Sequence, residues 1–249
     1  PNDTTLPILQ TYKNAGKIKV YIPPSEKKIK YNIDQSPLVL MVMGVNGSGK
    51  TTTLRMISTM ISPTSGTIKI KDKDVMKNSR EARKSIGFMT NQTALYDRLS
   101  PYEMVKYFAD LNSMEKVVFE ERCKSIFDTL DMNSFANKRI GTLSSGMKQK
   151  TSIARTIIHN PDIIVFDEPT TGLDVMTSRS IVELIRNSKD EKKTIIFSSH
   201  RMEEVQSLAD DIGVIYNGKL IFSGTKLDFE SLSDSSSYDD TLINLIDNS

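Results

Sequence analysis

Two short runs of residues carry side chains suited to chemistry on phosphate. Gly44-Val45-Asn46-Gly47-Ser48-Gly49-Lys50-Thr51 has the glycine, lysine and hydroxyl spacing of a phosphate-binding loop. The run lies between the apolar stretch Leu38 to Met43 and a segment of helical character, the setting in which that spacing is meaningful. Glycines let backbone N–H groups converge on phosphate oxygens, a helix N-terminus adds partial positive charge, and Lys50 adds a full one. Thr51 supplies a hydroxyl for magnesium. The second run, Ile163-Ile164-Val165-Phe166-Asp167-Glu168, reads as a buried strand that ends in two acids before the turn-former Pro169. Strand alternation aims the two carboxylates differently. Asp167 then suits magnesium, held through water, and Glu168 suits polarising a water toward a γ-phosphate. In an open α/β sheet ligands gather at the carboxyl ends of strands, so both runs belong at one edge.

The elements that must position these residues can be read from patterning. Short β-rich runs at Ile18 to Ile22, Ile29 to Ile33 and Leu38 to Met43 are separated by Pro23, Pro24 and Pro37. A helix is expected from about Lys50 to Met60, stopped by Ser62 and Pro63, and a strand from Thr67 to Ile70. From Pro101 to Asn137 apolar residues recur at helical spacing, among them Met104, Val105, Phe108, Leu111, Phe119, Cys123 and Phe127, which predicts a helical insert at about 95–140. Helices at about Gly146 to Ile158 and Thr177 to Asn187 then alternate with strands at Ile163 to Phe166 and Thr194 to Ser198. That alternation predicts an α/β fold with a largely parallel sheet covered on both faces. After Gly224 the tail holds six acids and only Lys226 as a base; its serine-rich middle, Ser231 to Ser237, reads as a mobile linker in a flexible acidic tail at about 228–249, with a short docking helix around Leu242 to Ile246.

Composition narrows the class. The chain has 249 residues, 38% hydrophobic and 26% charged, which fits one large globular domain. A net charge of +2 gives no large positive field for nucleic acid, and the cluster Lys13, Lys17, Lys19, Lys27, Lys28 and Lys30 reads as a solvated sheet edge. Cys123 is the only cysteine, so neither an intrachain disulfide nor a thiolate metal cage can form, as expected in a reducing compartment. The apolar runs fall far short of the ~20 residues a membrane-spanning helix needs. Pro1 to Leu6 has the charge and hydropathy pattern of no export signal, and the missing initiator Met suggests trimming.

The residues between the two phosphate-handling runs carry a resemblance. Leu143-Ser144-Ser145-Gly146-Met147 is similar to the signature sequence of ABC ATPases, Asp167-Glu168-Pro169-Thr170-Thr171-Gly172-Leu173-Asp174 to their Walker B and D-loop, and Ser198-Ser199-His200 to their switch histidine. It covers roughly Lys50 to Gly224, and Gly146-Met147-Lys148-Gln149-Lys150 looks like the sodium-efflux and drug-resistance exporters. The resemblance implies a P-loop NTPase of the ABC ATPase type, with a mostly parallel core sheet, an N-terminal antiparallel β subdomain and a helical subdomain. It implies ATP and Mg2+ as ligands. Gly44, Val45, Asn46, Gly47, Ser48, Gly49, Lys50, Thr51 and Thr52 would hold nucleotide, Thr51 and Asp167 the metal, and Glu168 and His200 would act in catalysis. Ser144, Gly146 and Asp174 would reach the nucleotide of a second copy paired head to tail, with each signature capping the γ-phosphate in the other's cradle. The ATPase would sit on the cytoplasmic face of a membrane through separate permease subunits.

Three positions depart from the family pattern. The residue at the offset of the family's magnesium-contacting Gln is Asn91, with Gln92 one step later, and Gln92 is assigned as the metal contact for its reach. Ser145 stands where the signature has a second glycine. Tyr12 sits before the first strand, as the adenine-stacking aromatic does, with Tyr21 its rival. His159, in an Asn160-Pro161 turn, reads as structural. Two other functions fit the same motifs: a soluble ABC ATPase not coupled to transport, which would need a second cassette or long coiled coils, and a nucleotide-gated regulatory subunit, against which Lys50, Asp167, Glu168 and His200 argue.

Overall fold

Strands built on apolar runs and buried at nearly every position must lie between two covered faces. Leu38–Met43, Ile163–Asp167 and Thr194–Ser198 are such strands, and a computed structural model of the chain places them at the centre of a sheet. The structure describes residues 18–21, 38–70, 73–90, 95–191, 193–232 and 237–249. Tyr12, Asn91, Gln92 and the expected strand at Ile29 to Ile33 lie outside them.

In chain order the elements are β1 (Ile18–Tyr21), β2 (Leu38–Met43), α1 (Lys50–Ile57), β3 (Thr67–Ile70), β4 (Lys73–Asp74), α2 (Ser79–Ser85), β5 (Ile86–Met89), α3 (Pro101–Leu111), α4 (Lys116–Thr129), a 3-10 turn at Ile140–Thr142, α5 (Ser145–Ile157), β6 (Ile163–Asp167), α6 (Val175–Asp190), β7 (Thr194–Ser198), α7 (Met202–Leu208), β8 (Asp211–Tyr216), β9 (Lys219–Thr225), α8 (Lys226–Glu230) and α9 (Tyr238–Asp247). The main sheet has the order β5-β6-β7-β2-β8-β9. Its first five strands are mutually parallel, and β9 returns antiparallel to β8. A second sheet, β1-β3-β4, is antiparallel. This is the α/β fold with a mostly parallel sheet that the alternation predicts.

The pleat divides the core in two. Leu40, Val42, Val165 and Ile196 face one side with Leu54 and Ile57 of α1 and Ile68 of β3, while Met41, Met43, Phe166 and Phe197 face the other with Ile153 of α5, Ile185 of α6 and Val205 of α7. The helical insert continues the second core through Met104, Val105, Phe119 and Phe127. Its first helix starts at a capping box in which Ser100 and Glu103 satisfy each other's backbone N–H, with Pro101 in the first turn. Arg122 of α4 donates from Nε to Ile158 O at 3.0 Å and from Nη2 to Ile157 O at 3.2 Å, so the insert grips the C-terminal end of α5.

The end of α1 differs from expectation. Helix α1 ends at Ile57, short of Met60, because Thr59 turns left-handed at φ 60° and Met60 N closes back onto Arg55 O. In the tail, α9 contains the docking helix expected around Leu242 to Ile246, and residues 233–236 of the serine-rich middle lie outside the described ones. Phe229, Tyr238 and Leu242 are buried in the second core, and Phe229 stacks edge-on to Phe222 at 5.4 Å. Its acids are spaced to leave that apolar face intact, which composition alone does not reveal.

Candidate active site

At the end of β2 the chain must turn sharply against β8. A Cβ at Gly44 would lie 2.1 Å from Ile215 O, and the residue sits at φ 146°, so only glycine fits there. Gly218 N, in the β8–β9 turn, donates to Ser48 O at 2.9 Å and fixes the far side of the loop. Helix α1 then starts at Gly49, which provides no side-chain cap, so its first N–H groups face the loop. Ser48 Oγ is buried and finds no hydrogen-bond partner among the described residues. Lys50 is buried and folds back over the loop, donating to Gly44 O and, at 2.9 Å, to Val45 O. Uncapped amides, an unpartnered hydroxyl and a buried ammonium make a cradle for an oxyanion. Thr51 is half-buried and Thr52 exposed on the first helical turn, while Val45, Asn46 and Gly47 form the exposed rim.

The second half comes from the carboxyl ends of β6 and β7. Burial holds the Lys50 ammonium below the usual lysine pKa range, and the neighbouring charges of Glu168 and Asp167 oppose that shift. The cradle cation and the two acids therefore share one electrostatic field. Asp167 is buried and pairs in register with Ser198, whose Oγ donates to Asp167 Oδ1 at 2.8 Å. Glu168 N donates to Ser198 Oγ at 3.0 Å and to Ser198 O at 3.1 Å. The carboxylate of Glu168 accepts from Thr171 Oγ1 at 3.2 Å, and His200 Nδ1 stands 3.7 Å from Glu168 Oε2. An oxygen donor set of Asp167 and Thr51 fits a hard divalent cation.

The signature residues are held elsewhere, against the D-loop. Ser144 caps α5, its exposed hydroxyl accepting from Met147 N at 3.3 Å. Gly146 is buried where a Cβ would approach Thr177 Oγ1 to 3.1 Å, so its small size lets α5 lie against the start of α6. Asp174 caps α6, accepting from Thr177 N at 2.9 Å and Thr177 Oγ1 at 2.8 Å, and the backbone bond from Thr177 holds its carboxyl below the usual range. Gln149, one turn along α5, donates from Nε2 to Pro169 O at 2.7 Å. No hydrogen bond among the described residues joins Ser144 or Gly146 to the cradle.

Glu168, His200, Lys50 and Asp167 are thus brought together, and Ser144, Gly146 and Asp174 form a separate group. Tyr12 and Gln92 lie outside the described residues. Sequence reasoning missed Ser198 and Gln149. Matching the equal-length runs Ile163–Asp167 and Thr194–Ser198 as neighbouring strands would have placed Ser198 beside Asp167, whereas Gln149 is one polar residue among several on a helix. His159 is structural: it is held by Ile86 O at 3.3 Å from Nε2, and burial keeps its pKa low.

Comparison with known proteins gives the same answer as the geometry. A family profile described as ABC transporter matches residues 27–171. The chain is 42% identical over 203 residues to the ABC transporter ATP-binding protein NatA of Bacillus subtilis (strain 168), covering 81% of each. It is 34% identical over 180 residues to the bacitracin transport ATP-binding protein BcrA of Bacillus licheniformis, 72% of this chain and 58% of that one. A solved ATP binding subunit of an ABC transporter shares the fold at a TM-score of 0.77 and 23% identity, over 84% of this chain and 88% of its own. The cbiO1 protein of Clostridium perfringens, part of the transporter complex cbiONQ, aligns at a TM-score of 0.70 and 26% identity, over 82% and 83%. With the cradle and acids in place and these relatives beside it, the chain belongs to the ABC transporter family, as an ATP-binding subunit with ATPase activity.

Proposed function

We propose that two copies of this chain pair head to tail around two ATP molecules, hydrolyse them at sites shared between the copies, and so power an exporter through separate membrane subunits. The observation that carries the chemistry is the strand register: Ser198 pairs with Val42, two residues before the cradle, on one side and with Asp167 on the other, so the Lys50 loop and the two acids meet at one sheet edge. Lys50 would exchange the carbonyls of Gly44 and Val45 for phosphate oxygens, and the uncapped start of α1 would receive the remaining charge. Asp167 and Thr51 would hold magnesium, which when bound neutralises charge on the phosphates. Glu168 then orients the attacking water and takes its proton, with His200 beside it as a contact to the γ-phosphate.

Two features favour pairing. The start of α5 is exposed at Ser144 and Ser145, and Val175 and Met176 at the neighbouring start of α6 are 78% and 72% exposed. These two apolar side chains lie next to the exposed start of α5, which supports a contact surface there. The names of two relatives, a bacitracin transport ATP-binding protein and a linearmycin resistance ATP-binding protein, support the export reading. Among the described residues no helix is long and apolar enough to cross a membrane.

Glu168→Gln tests the catalytic assignment. Turnover is expected to fall by about 10²–10⁴-fold, the range for loss of a general base, with ATP affinity retained. Wild-type turnover in the variant would remove Glu168 from the chemistry.

A further inference from the structure

Glu168 has φ 51°, a left-handed conformation that a residue with a Cβ keeps only when its surroundings hold it there. The next residue is Pro169, so the carboxylate is aimed by a single turn of chain. Two side chains from different elements grip that turn. On the β7 side, Ser198 is fully buried, and its hydroxyl is committed in both directions: its proton goes to Asp167 Oδ1 and its lone pair takes the Glu168 N–H. On the α5 side, Gln149 Nε2 holds Pro169 O at 2.7 Å.

We propose that Ser198 and Gln149 are positioning residues that clamp the Glu168–Pro169 turn from opposite sides and so hold the Glu168 carboxylate where hydrolysis needs it. The proposal rests on Glu168 being the base. Ser198 also fixes the relative direction of the two acids, because one hydroxyl binds the side chain of the first and the backbone of the second. Gln149 adds a link of another kind. It projects from the helix that Ser144 caps, so the signature helix has a direct hold on the base of its own chain. If each signature meets the partner's nucleotide, the state of one site reaches Glu168 of the other through this bond.

The substitutions separate donor from volume. Ser198→Ala removes the hydroxyl at nearly constant size and leaves Glu168 N with only the carbonyl of Ser198, and Ser198→Thr restores the hydroxyl in a residue suited to a strand. Gln149→Glu keeps the length and turns a donor into an acceptor facing a carbonyl. Gln149 is half-buried, so its variants carry the test if Ser198→Ala does not fold.

The experiment measures steady-state ATP turnover and equilibrium binding of a fluorescent ATP analogue for Ser198→Ala, Gln149→Ala and Gln149→Glu, each alone and combined with Glu168→Gln, using the whole chain. Alone, each variant is expected to lose about 10–100-fold in kcat, the effect of a small misplacement of a catalytic group, with analogue affinity within about twofold. Ser198→Thr should recover most of the loss. In the Glu168→Gln background the Gln149 changes should cost nothing further, because the group they position is gone, and Ser198→Ala should cost less than it does alone, because only its hold on Asp167 is left to lose. Unchanged kcat in the single variants would overturn the proposal, as would an equal loss with and without Glu168, which would place their effect in the fold. If Glu168→Gln alone turns over at the wild-type rate, the base assignment itself fails and this proposal falls with it.

Discussion

Lys50 shows how one position serves both structure and chemistry. Its ammonium is desolvated, capped by two loop carbonyls and balanced by two acids, so it is poised to exchange carbonyl oxygens for phosphate oxygens without first shedding water. Lys50→Ala leaves only backbone dipoles in the cradle. Its ATP affinity is expected to fall by the worth of a charged hydrogen bond, about 1.5–3 kcal/mol or roughly 10–150-fold in Kd. Titration with a fluorescent ATP analogue measures this, and unchanged affinity would mean that Gly44 to Thr51 is not the phosphate site. These residues were legible from sequence because the loop's chemistry demands a fixed spacing of glycines, lysine and hydroxyl. Ser198 and Gln149 were not, because each acts across the fold on a residue far along the chain, and a lone serine or glutamine carries no spacing to betray it.

Strands and helices were readable to the extent that burial is one- or two-sided. Strands β2, β6 and β7, each built on an apolar run, and the helical insert, with its 3.6-residue periodicity, announce themselves, whereas the packing of the tail is hidden by acids that leave Phe229, Tyr238 and Leu242 free to pack. Strand β8 opens less favourably. Asp211 is buried there, and burial, with Asp210 and Asp228 adding to it, pushes its carboxyl up to about 6 from 3.8. Because the folded value is the higher one, the folded chain binds the proton more tightly than the unfolded chain. The stability this gives is complete below about 3.8 and is lost as pH rises through about 6. Asp211→Asn, neutral at every pH, is expected to raise Tm by about 2–4 °C at pH 8 and to leave it nearly unchanged at pH 4. Calorimetric melts at the two pH values check this, and an equal shift at both would assign the effect to packing.

At the scale of the molecule, the proposed pairing makes the chain half of two sites. Its cradle and acids form one group, its signature helix and D-loop another, and the second group presents an exposed helix start flanked by Val175 and Met176. In the proposed pair, related by a two-fold axis, the first group of each copy would meet the second group of the other, with ATP holding the halves together and hydrolysis releasing them. Sedimentation velocity of the Glu168→Gln chain, in which ATP binds without being consumed, tests this most directly. Magnesium-ATP should shift the isolated chain from monomer to dimer by mass action on the closed state. Adding Ser144→Arg should abolish the shift while single-site ATP binding persists, because a long cation at the start of α5 occupies the partner's phosphate position and opposes the helix dipole. A Glu168→Gln chain that stays monomeric at high concentration with saturating magnesium-ATP, or a double variant that dimerises as well as its parent, would contradict the account.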